Sequence, residues 1–387
     1  MNNENILSKI SKMSEEELKA LARSTSDVEI LNILAVNANY EVRCTVAENK
    51  NTPVELLAVL AQDEDYSVRW AVAENRSTSA DVLAVLAKDE VYEVRKAVAA
   101  NRNTSADTLA VLVKDEDIDV RTAVAANENT SADTLAMLAK DVDIDVRTAV
   151  AENKNTSVET LVILAQDEER WVRSAVAENK NTRIETLTML ASDKDWWVRS
   201  AVAEIENTPK EALAVLANDD VYKVRKAVAA NGNTSADVLA VLAQDKYWLV
   251  RQTVALNENT SVDILAMLAK DVDDGVRWAV AVNKNTPADV LVMLAKADYK
   301  EVRNAVARNK STPIETLVVL AQDEERWVRC KVAENKNTPV VRAVVNNPNT
   351  SYNTLIMLTK DKNIYISKTA EEALKECKEK GRTNIER

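Results

Sequence analysis

The chain has 387 residues, with 50 Lys and Arg against 62 Asp and Glu, for a net charge of −12 and a pI near 4.9. That acidic balance disfavours a duplex nucleic-acid or anionic-membrane surface, either of which needs clustered Lys and Arg. With no histidine and only Gly232, Gly275 and Gly381 as glycines, the sequence excludes His-based acid/base catalysis, Ser-His and Cys-His dyads, the commonest metal ligand, and phosphate-cradling Gly-rich loops.

In chain order, residues 1–25 come first and lack the pattern that follows. Ile6, Ile10 and Met13, then Leu18 and Leu21, sit at helical spacing, and Ser14 with Glu17 makes a capping box between them. Two short helices are predicted, closing the otherwise exposed end of a repeat array. Over residues 26–338 a Val-Arg pair recurs twelve times, from Val42-Arg43 to Val328-Arg329, each 26 residues after the last. A fixed period of this length marks stacked repeats, not one globular core.

Each repeat opens with a threonine followed three residues later by Asp or Glu, as in Thr52-Glu55 and Thr78-Asp81. The pattern predicts a Thr-capped helix A, with Pro53, Pro209, Pro287, Pro313 and Pro339 at its first position. Leu83, Leu86 and Ala87 exemplify its apolar stripe. An acidic link such as Asp89-Glu90 leads into helix B, whose stripe is Val94, Ala97 and Val98. Helix B stops at an asparagine (Asn49, Asn75, Asn101 and so on, broken once at Ile205), a residue suited to the left-handed conformation of helix ends.

The period fails after Val328, since the next Val-Arg pair, Val341-Arg342, arrives after 13 residues. A kink is expected near 338–350 and a last helix pair at about 351–360 and 363–380. The final helix carries Lys368, Glu371, Glu372 and Lys375 as a polar closing cap, so residues 339–387 form an irregular short repeat and C-terminal cap.

The VRxAVAxN…TP…L..LAxD pattern resembles the leucine-rich-repeat-variant family and also looks like HEAT-type repeats. The resemblance implies an all-α, right-handed α-solenoid of about twelve two-helix repeats with helical end caps, and a function of binding. A period of 26 is longer than that family's usual repeat, which favours a full α-helix B over a 3₁₀ turn. The cysteine cluster that can hold an iron–sulfur centre beside such repeats is absent, so no cofactor is carried over.

Cys44, Cys330 and Cys377 are widely spaced and contain no CxxC, so neither a disulfide framework nor a metal signature is expected, and a reducing compartment is. MNNENILSKI has no basic region followed by a long apolar run. No stretch approaches the roughly 18 apolar residues of a spanning helix. A soluble, cytoplasmic, monomeric protein off the membrane is expected.

Two kinds of column then separate. Asp63, Asp89, Asp115 and their equivalents lie six residues before each repeat's Arg, and a residue demanded in nearly every repeat answers the repeat's own packing, here as an Asp–Arg ladder. By contrast, positions −2, −1 and +2 from the Val exchange Trp, Tyr, Lys, Gly and Asp freely, which a close-packed slot does not tolerate. All seven tryptophans fall there. Aromatics among charges on a rigid scaffold suit recognition. The candidate partner-binding residues are therefore Tyr40, Tyr66, Trp70, Tyr92, Trp171, Trp196, Trp197, Tyr222, Trp248, Trp278 and Trp327. They point to a non-catalytic scaffold for a protein or peptide. The alternatives are a nucleic-acid-binding solenoid with stacked bases, or an enzyme using carboxylate pairs such as Asp115 and Asp117.

Overall fold

The computed structural model describes residues 8–335 and, beyond them, residues 355, 356, 359, 360, 368, 370–372, 374 and 375. Ile6, the expected kink at 338–350 and most of the two closing helices lie outside these residues. Twenty-five helices and no strand occur between Glu15 and Glu334. They fall into two compact units, Met1–Leu190 and Ala191–Arg387. The predicted alternation holds in both: helix A has seven residues, as in Ala80–Leu86, and helix B nine, as in Tyr92–Ala100. Helix B is a full α-helix throughout, and the array is an all-α solenoid. No described helix is long and apolar enough to cross a membrane.

Residues 8–10 are helical, and the next helix, Glu15–Ser24, begins at the capping box read from the sequence: Ser14 accepts from the Glu17 N–H, and Glu17 accepts from the Ser14 N–H at 2.8 Å. It packs on the first helix B, Tyr40–Glu48, and so occupies the place a preceding helix B would fill. Within each unit, successive B helices pack directly on one another and form the continuous row, whereas each helix A leans on the B helices beside it. Leu83, Leu86 and Ala87 are buried, as are Val94, Ala97 and Val98, so the two predicted stripes meet in the core.

The threonine column does not cap helix A. Ser79, Ser105 and Ser131 do, one residue later, by accepting from the N–H three positions on, and Pro53, Pro209, Pro287 and Pro313 hold the same site without a side-chain bond. The acidic residue consequently lies at the second helical position, where it still meets the positive helix end. Thr78 is fully buried and donates its hydroxyl to the Val72 carbonyl at 2.6 Å, closing the last turn of helix B. The hydroxyl thus adds a second donor to a helix-end carbonyl that the Asn75 N–H also holds, at 3.2 Å.

The asparagine column also works differently from expectation. Asn101 has φ −72° and ψ 132°, an extended and not a left-handed conformation. Its amide donates to the carbonyls of Ala73 (2.6 Å) and Asn75 (3.1 Å) in the preceding repeat, and its Oδ1 accepts from the Asn103 N–H at 2.9 Å. The same clamp recurs at Asn127 and Asn153, and in the second unit at Asn257 and Asn283. Both ends of a short polar side chain are therefore used to fix the spacing of consecutive repeats.

Within each unit an Asp–Arg ladder joins repeat to repeat. Arg95 donates Nε to Asp115 Oδ2 at 2.6 Å and Nη2 to Oδ1 at 2.9 Å, 20 residues on, while its Nη1 holds the carbonyls of Asp89 (2.8 Å) and Glu90 (3.0 Å) in its own repeat. Asp115 Oδ1 accepts in addition from the Asp117 N–H at 3.0 Å. Burial pushes such a carboxyl upward, but the hydrogen bonds from Arg95 and the Asp117 N–H, with the charges of Arg95 and Arg121, prevail and hold Asp115 below the usual range. The ladder is interrupted where Ala297 replaces the aspartate. Arg277 there pairs with Asp274 of its own helix.

Candidate interaction surface

Once Asp, Arg, Asn and Thr are tied into these contacts, the side chains left for other chemistry are those at the start of helix B. Asp115 and Asp117, the pair that an enzymatic reading would use, are both occupied: the first by Arg95, the second by capping the N–H groups of Asp119 (2.9 Å) and Val120 (3.3 Å). Cys44, half-buried, has its thiol pushed up to about 11, first by burial and then by the charges of Asp65 and Glu48. It is a poor nucleophile at neutral pH. No group of three or more metal-ligating side chains occurs among the described residues.

None of the eleven candidate residues is buried. In the first unit Tyr40, Tyr66, Tyr92 and Trp171 are exposed and Trp70 is half-buried. In the second Trp197, Trp248 and Trp327 are exposed, Trp327 to 71 %, while Trp196, Tyr222 and Trp278 are half-buried. The helix explains their placement. With Val at position zero facing the core, positions −2 and +2 share a stripe on the opposite side, and −1 lies beside it.

The second unit gathers several of these residues. The Trp196 and Trp197 rings meet edge to face with centroids 5.4 Å apart, and the Lys223 ammonium lies 5.0 Å over Trp196. In the next repeats Tyr222 stacks on Tyr247 at 4.7 Å and 21°, with Lys246 5.4 Å and Arg225 5.8 Å from the Tyr247 ring. Trp248 leans toward Gly275, where a Cβ would sit 3.3 Å from the ring carbon Cζ3 and 3.0 Å from Asp273 Oδ1. Glycine in this variable column therefore makes room for an indole. In the first unit the Arg170 guanidinium stacks 4.8 Å over Trp171. Offset rings with cations over their faces give rigid anchors of large area with little side-chain entropy left to lose.

Sequence reasoning missed Tyr247 and Tyr299, which are 42 % and 43 % exposed and lie one position earlier, at the N-cap of helix B. The signal was present. That column is otherwise mostly Asp or Asn, whose side chains cap the helix, as Asp65 does for Ser67 at 2.8 Å. A tyrosine there forgoes a cap at a cost of about 1 kcal/mol, as do Val91, Glu169, Val221 and Glu325 in the same column. Tyr299 lines, with Trp278, Gln252 and Glu301, a shallow cavity of about 400 Å³ on this face.

The leucine rich repeat variant family matches residues 40–65 and 144–169. Among solved structures, a leucine-rich repeat variant with a novel repetitive structural motif is 26% identical, over 58% of this chain and 88% of that one, with a TM-score of 0.46. Kap121p bound to RanGTP is 12% identical, over 98% of this chain and 48% of that one, with a TM-score of 0.41, so the chain spans about half the length of Kap121p. No curated protein matches. The two matched segments are each one period long, and the repeats around them carry the same columns in register, so the chain is similar to the leucine rich repeat variant over two of its repeats.

Proposed function

We propose that this protein is a non-catalytic scaffold that grips a protein or peptide partner through the variable, aromatic-rich face of its B helices. The observation that carries the reading is the division of labour among columns. Positions that hold the repeats together are buried and nearly constant, whereas Trp and Tyr stand at exposed or half-exposed positions that differ from repeat to repeat. Large exposed aromatics are costly to keep without use, and aromatic anchors beside Arg or Lys are the residues that dominate binding energy at protein interfaces. The reading places the work in the cytoplasm. It takes residues 26–338 as the recognition array, with 1–25 and 339–387 as closures of its two ends.

The test is affinity capture from the source cell with the unaltered chain and with Trp196→Ala, Trp197→Ala and Trp248→Ala combined. Captured proteins should be lost from the variant while helicity and melting temperature stay unchanged, because these rings lie outside the apolar core. Retention of the same partners by the variant overturns the reading. Partners that turn out to be nucleic acid, released steeply by salt, overturn it equally.

A further inference from the structure

The A helices carry a row that neither the repeat's packing nor the aromatic face explains. In the first unit Val59, Val85, Val111, Met137, Ile163 and Met189 follow one another at 26-residue steps, each between 44 % and 65 % exposed, and five more continue the column in the second unit from Val215 to Val319. Every member is Val, Ile or Met. A column free to drift on a surface would admit polar residues, and one filling the core would be covered. Helix propensity does not account for it either, since Val is a poorer helix former than the Ala, Lys or Glu that could stand there.

Three successive helices, Ala80–Leu86, Ala106–Leu112 and Ala132–Leu138, set this ridge between two charged rows. Asp81, Asp107 and Asp133 lie four residues before the ridge side chain on the same helix face, and Lys88, Lys114 and Lys140 lie in the turn two residues past each helix end. All six charged residues are exposed. Beside Met137 a groove of about 720 Å³, lined also by Lys114, Lys140 and Val142, opens between two repeats, and Val142 is 93 % exposed at its edge.

We infer that this ridge is where a second copy of the chain docks, with a twofold axis running along the ridge. The charges select both occupant and orientation. Rotation about that axis lays the acidic row of one copy over the lysine row of the other, and each ridge side chain meets its own equivalent, as an isologous contact requires. A twofold axis across the ridge would instead place acid over acid and lysine over lysine. This departs from the monomer expected from the sequence and is independent of the aromatic face.

The experiment is sedimentation equilibrium of the full chain over a roughly hundredfold concentration range. The mass should rise from one chain toward two. Val85→Ser, Val111→Ser and Met137→Ser together should leave it at one chain with helicity unchanged. The triple Lys88→Glu, Lys114→Glu, Lys140→Glu should also stay single, as should Asp81→Lys, Asp107→Lys, Asp133→Lys. An equimolar mixture of the two charge triples should pair at least about tenfold more tightly than either alone. A single-chain mass at every concentration, association that survives the substitutions, or a mixture that fails to pair overturns the inference.

Discussion

Asn127 offers the sharpest test of how the repeats are held together. Its Nδ2 donates to the Ala99 carbonyl at 2.6 Å and the Asn101 carbonyl at 3.0 Å, and its Oδ1 accepts from the Asn129 N–H at 2.8 Å, with the side chain almost wholly buried. The Asn101 carbonyl keeps a second donor, the Thr104 N–H at 3.1 Å, so alanine at position 127 strands chiefly the Ala99 carbonyl and the Asn129 N–H. A stranded buried group costs about 1–3 kcal/mol and each lost bond about 1 kcal/mol, so Asn127→Ala should destabilise by about 3 kcal/mol. Asn127→Asp separates donor from volume. It keeps the shape but turns a charged acceptor toward two carbonyls, and it should cost more than alanine at neutral pH. Urea unfolding followed by circular dichroism measures both, and because a repeat array is coupled only between neighbours, amide exchange at Asn129 and Thr130 should accelerate first. A loss under about 1 kcal/mol for alanine, or an aspartate variant as stable as the parent, would refute the clamp.

Other consequences are open to measurement. Arg95→Lys removes the planar fork that holds Asp115 and two carbonyls at once and should cost about 2–3 kcal/mol despite conserving charge, read as a lower urea midpoint; an unchanged midpoint would show that a point charge suffices. Asp63, Asp115, Asp141, Asp219, Asp245 and Asp271 are all held below the ordinary value of 3.8 against the upward push of burial, by Arg hydrogen bonds and backbone N–H groups. Folding therefore gains from them fully above that value and loses the gain as pH falls below it through the depressed values. Melting temperature should be flat from neutral pH down to the carboxylate range and then fall steeply, less steeply in Asp115→Asn. Cys44, its thiol raised to about 11, should react with a thiol reagent at neutral pH well over tenfold more slowly than a small free thiol, with the rate climbing as pH approaches that value.

Much of this molecule follows from periodicity alone. A Val-Arg pair every 26 residues is enough to fix two helices per repeat, because each apolar stripe needs a neighbour to cover it. The same constancy predicted an Asp–Arg ladder, and the variability of three columns identified the surface positions. What the sequence could not tell was the partner of each polar side chain. Thr78 and Asn101 carry ordinary helix-end chemistry by type, yet the structure gives Thr78 to a carbonyl six residues back and Asn101 to the preceding repeat. Such choices depend on which carbonyl lies within about 3 Å once the chain has folded, a distance that sequence spacing does not encode. The exposed ridge was hidden for the same reason: Val111 and Leu109 read alike as apolar residues of one helix, and only the packed neighbour repeats decide that Leu109 is covered and Val111 is left in water.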